Sequence, residues 1–343
     1  MRRYSSGLPR SLKHFQAHAI GKSFRLSRVL DDLEADIIHC YNLNLRSGYS
    51  WLSNVKTPVV SSLHNFRSIC PIAISWKDGE LCFRCRDISN LQAISNRCSG
   101  VYGTLGAIRR TFFDRNNSVL SNSSRIIATS SKMAVEISKH PQTSVGSISV
   151  LGSVSRFPKR FVRRRVGGGF VYMGRFAPEK GVMELVKNWV DSESLVLIGS
   201  GPMESQLKEV AKGKNVHFRT PNFSLGGEFL DEFEALVFPS TWLEGSPLVI
   251  YEAMSLSLPV LYNPISAASE ILEDGLAGVP VLDFGLSQEV EKSISVLRSD
   301  YDSFQSNSFR LSESKYSQEN WIKSLEGILS SVILESNSTK HSN

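Results

Sequence analysis

Short apolar runs alternate along most of the chain with segments of helical period, and this alternation is typical of an α/β protein with parallel sheets. In the first half the pattern predicts strands at residues 36–41, 58–64, 125–130 and 147–152. In the second half it predicts strands at residues 170–174, 195–200, 215–219, 235–240 and 259–262. Helices are predicted between them, beginning near Ser131, Lys180, Met203, Pro247 and Ala267.

The two series are separated by RFPKRFVRRRVGGG, residues 156–169, which is basic and then glycine-rich and has neither a helical nor a strand period. We interpret it as a linker between two domains, residues 1–153 and 166–312. A C-terminal amphipathic helix is predicted over 313–335, with an apolar stripe of Trp321, Leu325, Ile328 and Val332.

Composition narrows the class of protein. Hydrophobic residues make up 41% and charged residues 21% of the 343 positions, as in globular proteins. The sequence has no apolar run of about 18 residues and no apolar segment behind its first basic residues, so we expect a cytoplasmic protein. The net charge is +6 without a nucleic-acid-binding motif, so we expect no nucleic-acid partner. Basic clusters are compatible with peripheral contact at the inner face of a membrane, although a solvated surface is the alternative.

Four of the five cysteines fall in one stretch: Cys70, Cys82, Cys85 and Cys98. Cys82 and Cys85 have C-x2-C spacing, which in a reducing compartment favours a thiolate metal site over disulfides. The two outer cysteines are single, so the alternative is a set of ordinary thiols. The metal content is left open, with structural zinc as the hypothesis.

The segment EGSPLVIYE places two carboxylates, Glu244 and Glu252, eight positions apart. We predict that Ser246 caps a helix whose first residue is Pro247. The first N–H groups of that helix, at Leu248 and Val249, would favour an anion. The alternative is a capped amphipathic helix with two solvated acids.

The segment MGRFAPEKG joins a predicted strand to a predicted helix. Gly174 permits the turn, and Arg175 and Lys180 would project into the crevice above the strand ends, where two cations can neutralise a diphosphate. Nearby GSGP, residues 199–202, offers backbone N–H groups in a tight turn but is too short for a dinucleotide fingerprint.

In this order GRFAPEKG, GSGP and PSTWLEGSPLVIYEAM resemble the donor-binding half of retaining GT-B glycosyltransferases of glycosyltransferase family 4 (group 1). The resemblance covers roughly residues 36–330. It implies two Rossmann-like doubly wound domains: residues 1–153 on the acceptor side and residues 166–312 on the nucleotide-sugar side. Because the strand at 36–41 resembles a later element of the acceptor domain, we expect that domain to lack its first strand.

The resemblance also implies roles for residues. Glu244 would contact the donor sugar near its reacting carbon, and His64, in SSLHNFRSICP, would contact the donor sugar or the acceptor. The implied donor-binding residues are Gly174, Arg175, Lys180, Arg219, Thr220, Gly245, Ser246, Leu248, Val249 and Glu252. Arg175 and Lys180 would hold the diphosphate, and Glu252 the ribose diol.

The expected activity is transfer of a sugar, with retention of configuration, from a nucleotide-diphosphate sugar to a glycan or lipid-linked acceptor in cell-envelope polysaccharide biosynthesis. Since the leaving diphosphate takes the acceptor proton, we expect no cofactor and no catalytic metal. The alternative is a nucleotide-sugar-binding protein with little or no turnover, and a phosphorylase or an epimerase on the same architecture is a third reading.

Overall fold

The structure, a computed structural model, describes Leu30 and residues 35–41, 52–53, 55–86, 91–98, 119–144, 146–220 and 227–341. The prediction that the first domain lacks its first strand depends on residues 1–29, which lie outside the described residues.

In chain order the first domain contains β1 (Ile38–Tyr41), β2 (Val59–Leu63), β3 (Trp76–Lys77), β4 (Glu80–Leu81), α1 (Leu91–Ser95), α2 (Val119–Asn122), β5 (Arg125–Ala128), α3 (Ser131–Ser138) and β6 (Ile148–Val150). Strands β1, β2, β5 and β6 form a parallel sheet in that order. The antiparallel pair β3–β4 lies in the excursion that carries the cysteines. The predicted strands of this half are therefore confirmed.

The second domain contains β7 (Phe170–Met173), α4 (Val182–Lys187), β8 (Leu195–Ile198), α5 (Glu204–Val210), β9 (Val216–Arg219), β10 (Ala235–Phe238), α6 (Leu248–Ser255), β11 (Val260–Tyr262), α7 (Ala268–Ile271), β12 (Gly278–Pro280), α8 (Ser287–Ser299) and α9 (Tyr301–Ser314). All five predicted strands are confirmed. The sequence reading missed β12, whose three residues, Gly-Val-Pro, contain two that are unfavourable in strands.

The six strands of the second sheet are parallel and follow the order β12-β11-β10-β7-β8-β9. Strand β7 lies in the middle, and the chain leaves it on one side toward β8 and returns on the other at β10. Strands β7, β8 and β10 are buried along their whole length, which explains their continuous apolar sequences. The carboxyl ends of β7 and β10 therefore flank the topological switch point, where α/β sheets bind ligands.

The predicted linker is bound to the second domain. Arg160 forms two hydrogen bonds with Asp231, of 2.7 and 2.8 Å. Arg164 is buried and donates to backbone carbonyl oxygens of Leu230, Phe233 and Leu256. The basic residues that we interpreted as a mark of a linker thus satisfy carbonyl groups and a carboxylate of the second domain.

The C-terminal helix α10 extends over Gln318–His341, so it begins later and ends later than the predicted 313–335. Residue 313 lies in α9, and the helix continues through the polar residues that follow position 335. The apolar stripe is confirmed in its packing, because Val332, Leu325 and Ile328 contact the first sheet at Val60 and Ile127. Among the described residues, no helix combines the length and the apolar character needed to cross a membrane.

Two groups tie the domains together at the start of α3. The Lys132 ammonium donates to the carbonyl oxygens of Pro264, at 2.6 Å, and Ser266, at 2.8 Å. The carboxylate of Glu270 accepts from the backbone N–H of Ser131 at 2.8 Å, so a side chain of the second domain satisfies an amide at the N-terminus of a first-domain helix. The structure therefore shows the two domains in contact across the cleft.

Candidate functional site

A pocket of about 320 Å³ opens at the switch point of the second sheet. It is lined by the end of β7, the turn that carries Lys180, the end of β10, the loop that carries Glu244 and the first turn of α6. The lining residues are Tyr172, Met173, Gly174, Lys180, Phe238, Pro239, Ser240, Glu244, Pro247, Leu248 and Val249. Five of the predicted site residues are thus brought together: Gly174, Lys180, Glu244, Leu248 and Val249.

Glu244 is buried and held by one of its two carboxylate oxygens. Its Oε1 atom accepts hydrogen bonds from Lys180 Nζ at 2.5 Å, Ser240 Oγ at 2.8 Å and Trp242 Nε1 at 2.8 Å. Within the described part of the chain Oε2 receives no hydrogen bond, so this oxygen is available to a hydroxyl group of a ligand. The carboxylate is fixed in position while one of its oxygens keeps its accepting capacity.

The backbone around Glu244 has an unusual conformation. Glu244 has φ = 53°, in the left-handed region, which costs a non-glycine residue about 1–3 kcal/mol. At Gly245 a Cβ would lie 2.6 Å from Thr129 Oγ1 and 3.0 Å from the carbonyl oxygen of His64. Gly245 therefore allows the loop to approach the first domain, and it does not line the pocket.

The local structure corrects the predicted helix start. Helix α6 begins at Leu248, with Pro247 in the cap position and no side-chain cap. The Ser246 hydroxyl instead accepts from Ser153 N at 2.9 Å and donates to the Tyr251 hydroxyl at 2.9 Å. The first N–H groups of a helix have no intrahelical partner, and Leu248 and Val249, which carry two of these groups in α6, line the pocket.

The two predicted cations differ in position. Lys180 lines the pocket, and its ammonium also lies 5.4 Å from the centre of the Trp242 ring. Arg175 is 58% exposed and forms an ion pair with the buried carboxylate of Glu179, outside the residues that line the pocket. Gly174, the chain neighbour of Arg175, lines the pocket, whereas the Arg175 guanidinium is paired with Glu179.

Glu252 is buried in α6 and forms an ion pair with Arg156. Burial raises the pKa of Glu252, while Arg156 opposes this shift. The residue is not among those lining the 320 Å³ pocket. The two carboxylates of the segment therefore occupy separate environments.

Arg219 and Thr220 are not brought to the pocket. Arg219 ends β9, the edge strand of the sheet, and is paired with Glu232. The glycines of GSGP are also packed, because a Cβ at Gly199 would overlap the carbonyl oxygen of Gly174 and one at Gly201 would overlap that of Phe176. The turn thus packs closely against the loop that follows β7, while the availability of its backbone N–H groups to a ligand stays a prediction.

His64 lies in a second pocket of about 370 Å³ between the domains, which Leu248 also lines. The His64 ring packs on Tyr41 with 4.2 Å between ring centres. Its Nε2 atom is buried without a hydrogen-bond partner among the described residues. Burial, and then the neighbouring His39, lower the pKa of His64, so the ring is neutral near pH 7 and offers a nitrogen to a ligand.

The four clustered cysteines are free thiols. In the described ranges no group of three or more His, Cys, Asp or Glu side chains is arranged to hold a metal ion. The structure therefore does not assemble a metal site from Cys70, Cys82, Cys85 and Cys98, and zinc stays a prediction for analysis of the purified protein.

Sequence reasoning missed three residues of this region: Trp242, Ser240 and Arg156. Ser240 and Trp242 lie four and two positions before Glu244 in the segment PSTWLEG. Hydrogen-bond donors so close to an acid in the sequence were the signal that could have predicted their contacts with Glu244. Arg156 lies far from Glu252 along the chain, and only the fold brings them together. No local pattern could have predicted that pair.

Residues 167–300 match the family described as glycosyl transferases of group 1. The chain is 30% identical over 165 residues to the putative teichuronic acid biosynthesis glycosyltransferase TuaC of Bacillus subtilis, covering 44% of this chain and 41% of that protein. It is 29% identical over 126 residues to the alpha-D-kanosaminyltransferase of Streptomyces kanamyceticus, covering 33% and 32%. The chain thus spans less than half the length of these curated relatives.

Solved structures resemble the fold over most of the chain. HepE of Anabaena in complex with UDP has a TM-score of 0.62 at 16% identity, with 89% of this chain and 82% of HepE covered. Sucrose-phosphate synthase of Thermosynechococcus elongatus has a TM-score of 0.63 at 14% identity, with 96% and 81% covered. These similarities identify a glycosyl transferase group 1 domain, at residues 167–300, in a chain with the GT-B fold.

Proposed function

We propose that this protein is a glycosyltransferase that moves a sugar from a nucleotide-diphosphate sugar to a hydroxyl of a glycan or lipid-linked acceptor. The observation that carries the proposal is the pocket in which Lys180, Glu244 and the start of α6 meet at the switch point of the second sheet. A cation and helix amides suit a diphosphate, and a fixed carboxylate suits sugar hydroxyls. The match to the group 1 family supports the same activity.

The donor would lie with its diphosphate at the first amides of α6. The Lys180 ammonium has three N–H donors, so it can bind a phosphate oxygen while it keeps Glu244 in place. Arg175 would join the phosphates after leaving Glu179. Glu252 would accept from the ribose diol once the Arg156 side chain, which is 49% exposed, moves aside. HepE has been solved with UDP and glucose, which supports a nucleotide-sugar donor here.

Transfer would proceed with retention of configuration. The bond between the anomeric carbon and the diphosphate oxygen breaks, and the acceptor hydroxyl attacks the same face. Its proton passes to the departing phosphate oxygen, so the step balances without a separate base. Glu244 Oε2 would hold a donor-sugar hydroxyl during this step, and Lys180 would stabilise the charge on the leaving group.

The acceptor would occupy the 370 Å³ pocket, which adjoins the first pocket at Leu248. Aromatic and apolar side chains dominate its described lining, notably Tyr41, Leu151 and Trp321, and such surfaces pack against sugar rings. The unpaired Nε2 of His64 would bind a hydroxyl there. The name of TuaC points to cell-envelope polysaccharide as the material that contains such an acceptor.

The test is incubation of purified protein with a panel of UDP- and GDP-hexoses and neutral or lipid-linked glycosides. Release of the nucleoside diphosphate should depend on the acceptor, and NMR of the product should show the anomeric configuration of the donor. Inversion would refute the retaining mechanism. A protein that binds nucleotide sugars and releases no diphosphate with any acceptor would be the non-catalytic binding protein instead.

A further inference from the structure

We propose that Trp242 is a positioning residue, which transmits the contact between the two domains to the carboxylate of Glu244. This inference rests on the proposed function, because it assigns a role in turnover to a residue next to Glu244. It goes beyond that function because Glu244 has all three of its hydrogen-bond donors only while the first domain is packed against the second.

The contacts of Trp242 point in two directions. Its indole N–H donates to Glu244 Oε1 at 2.8 Å, on the side of the donor pocket. Its ring is buried in the hydrophobic core of the first domain, together with residues such as Leu63, Phe66 and Met133. The ring centre lies 6.4 Å from that of Phe66, in an edge-to-face arrangement.

Trp242 belongs to one domain by its position in the chain and packs in the core of the other. Trp242 belongs to the loop between β10 and α6, which is part of the second domain, and its neighbour Leu243 also packs in the first domain's core. A separation of the domains would expose both side chains to water. The indole would then lose the packing that fixes its direction, and Glu244 would lose one of its three donors.

The remaining donors do not provide this coupling. Ser240 and Lys180 follow strands of the second domain and can hold Oε1 whether or not the domains touch. Trp242 alone among the three lies in a core cluster of the first domain. Contact between the domains would therefore align Glu244 for transfer, while nucleotide binding would depend much less on this contact.

The experiment compares Trp242→Phe with wild type in the release of nucleoside diphosphate from the UDP- or GDP-hexose that the wild type uses fastest. Phenylalanine keeps an aromatic ring in the core and removes the N–H. We expect kcat to fall by about tenfold to a hundredfold, the effect of a hydrogen bond to a charged group, with the donor KM within about twofold. Unchanged kcat would overturn the proposal.

A second variant approaches the same contact from the first domain. Phe66→Leu alters a residue that packs on Trp242 and lines neither pocket, and we expect kcat to fall by about threefold with unchanged nucleoside diphosphate affinity. The matched control is Phe83→Leu, because Phe83 packs on Phe66 at 6.2 Å. Equal kcat losses in both leucine variants would reduce the effect to general core stability and overturn the proposal.

The pathway through Glu244 is tested by a double-variant cycle. In a Glu244→Gln background, Trp242→Phe should lower kcat by less than about twofold, because the group that it positions is already altered. Fully additive losses would refute the inference and leave the proposed function intact. If Glu244→Gln alone has no effect, or if no member of the sugar panel is turned over by wild type, the proposed function fails as well.

Discussion

Glu244 and Glu252 are both buried carboxylates, but the loop around Glu244 and the helix around Glu252 stabilise them in different ways. Glu244 is held by an ammonium, a hydroxyl and an indole on one oxygen, and it faces a pocket. Glu252 is covered by Arg156 and lies away from that pocket. The first arrangement fixes a carboxylate and keeps it accessible, whereas the second neutralises it.

The sequence EGSPLVIYE does not distinguish the roles of its two glutamates, whereas their different environments suit Glu244 to the reaction and Glu252 to binding. A carboxylate with a free oxygen and fixed direction suits a reaction in which charge changes at a nearby sugar carbon. A carboxylate whose one cationic partner is half-exposed suits binding, since a ribose diol can replace the Arg156 side chain. Variants of the two regions should therefore affect different kinetic parameters.

The largest effect is expected for Glu244→Gln. The amide keeps the shape but loses the negative charge, so we expect kcat to fall by about a hundredfold while the donor KM stays within about threefold. Steady-state release of the nucleoside diphosphate measures both. Glu252→Gln is the matched control, and it should chiefly raise the donor KM. Equal losses in both parameters for both variants would remove the distinction between the two regions.

The next effect concerns Lys180. Lys180→Ala should weaken binding of free UDP or GDP by about tenfold or more, because a charged hydrogen bond to phosphate is lost, and should hardly change binding of the nucleoside. Calorimetric titration with each ligand provides the comparison. Lys187→Ala, on the exposed surface of α4, is the control. Unchanged diphosphate affinity would make Lys180 a structural partner of Glu244 only.

The Glu252 region should respond to pH through stability. Burial raises the pKa of Glu252 and Arg156 opposes the rise, so Arg156→Ala leaves the folded state with a carboxyl group that resists ionisation. The variant should be about 1 kcal/mol less stable than wild type near pH 7. The difference should shrink as the pH falls toward and below the ordinary glutamate value of about 4.3, because the raised pKa of Glu252 then leaves its carboxyl group protonated in the folded state of both proteins.

Chemical denaturation at several pH values measures this difference. When the double variant Arg156→Ala, Glu252→Gln is compared with Glu252→Gln, the stability loss should no longer depend on pH, since neither protein has an ionisable group at position 252. A stability loss that is constant from pH 5 to pH 8 in the single variant would show that Arg156 acts through packing, including its contact with the Phe157 ring at 5.2 Å.

The sequence predicted the strands and the two-domain order because buried parallel strands have continuous apolar runs. It also predicted Lys180 and Glu244, which follow strands that the topology makes neighbours. It failed where partners are distant in the chain: Lys180 and Glu244 are 64 positions apart, and their direct pairing had no local indication. Ser246 was misassigned because its cap pattern competes with a tertiary bond to Ser153.

The smallest effect on chemistry is expected from the cysteines. If Cys70, Cys82, Cys85 and Cys98 bind zinc, protein purified under reducing conditions should carry about one metal per chain, and chelation should destabilise the first domain without altering nucleotide binding. Elemental analysis and limited proteolysis with and without chelator measure these properties. A metal content near zero would identify the four residues as ordinary thiols.

The central claim is that a nucleoside diphosphate binds where Lys180, Glu244 and the first turn of α6 meet. A crystal structure with UDP or GDP tests it most directly. We predict phosphate oxygens within hydrogen-bond distance of Lys180 Nζ and of the Leu248 and Val249 amides, with Glu244 Oε2 directed toward the space for the sugar. Phosphates bound elsewhere, with no contact to Lys180 and with the Lys180–Glu244 pair as it is without nucleotide, would contradict the account.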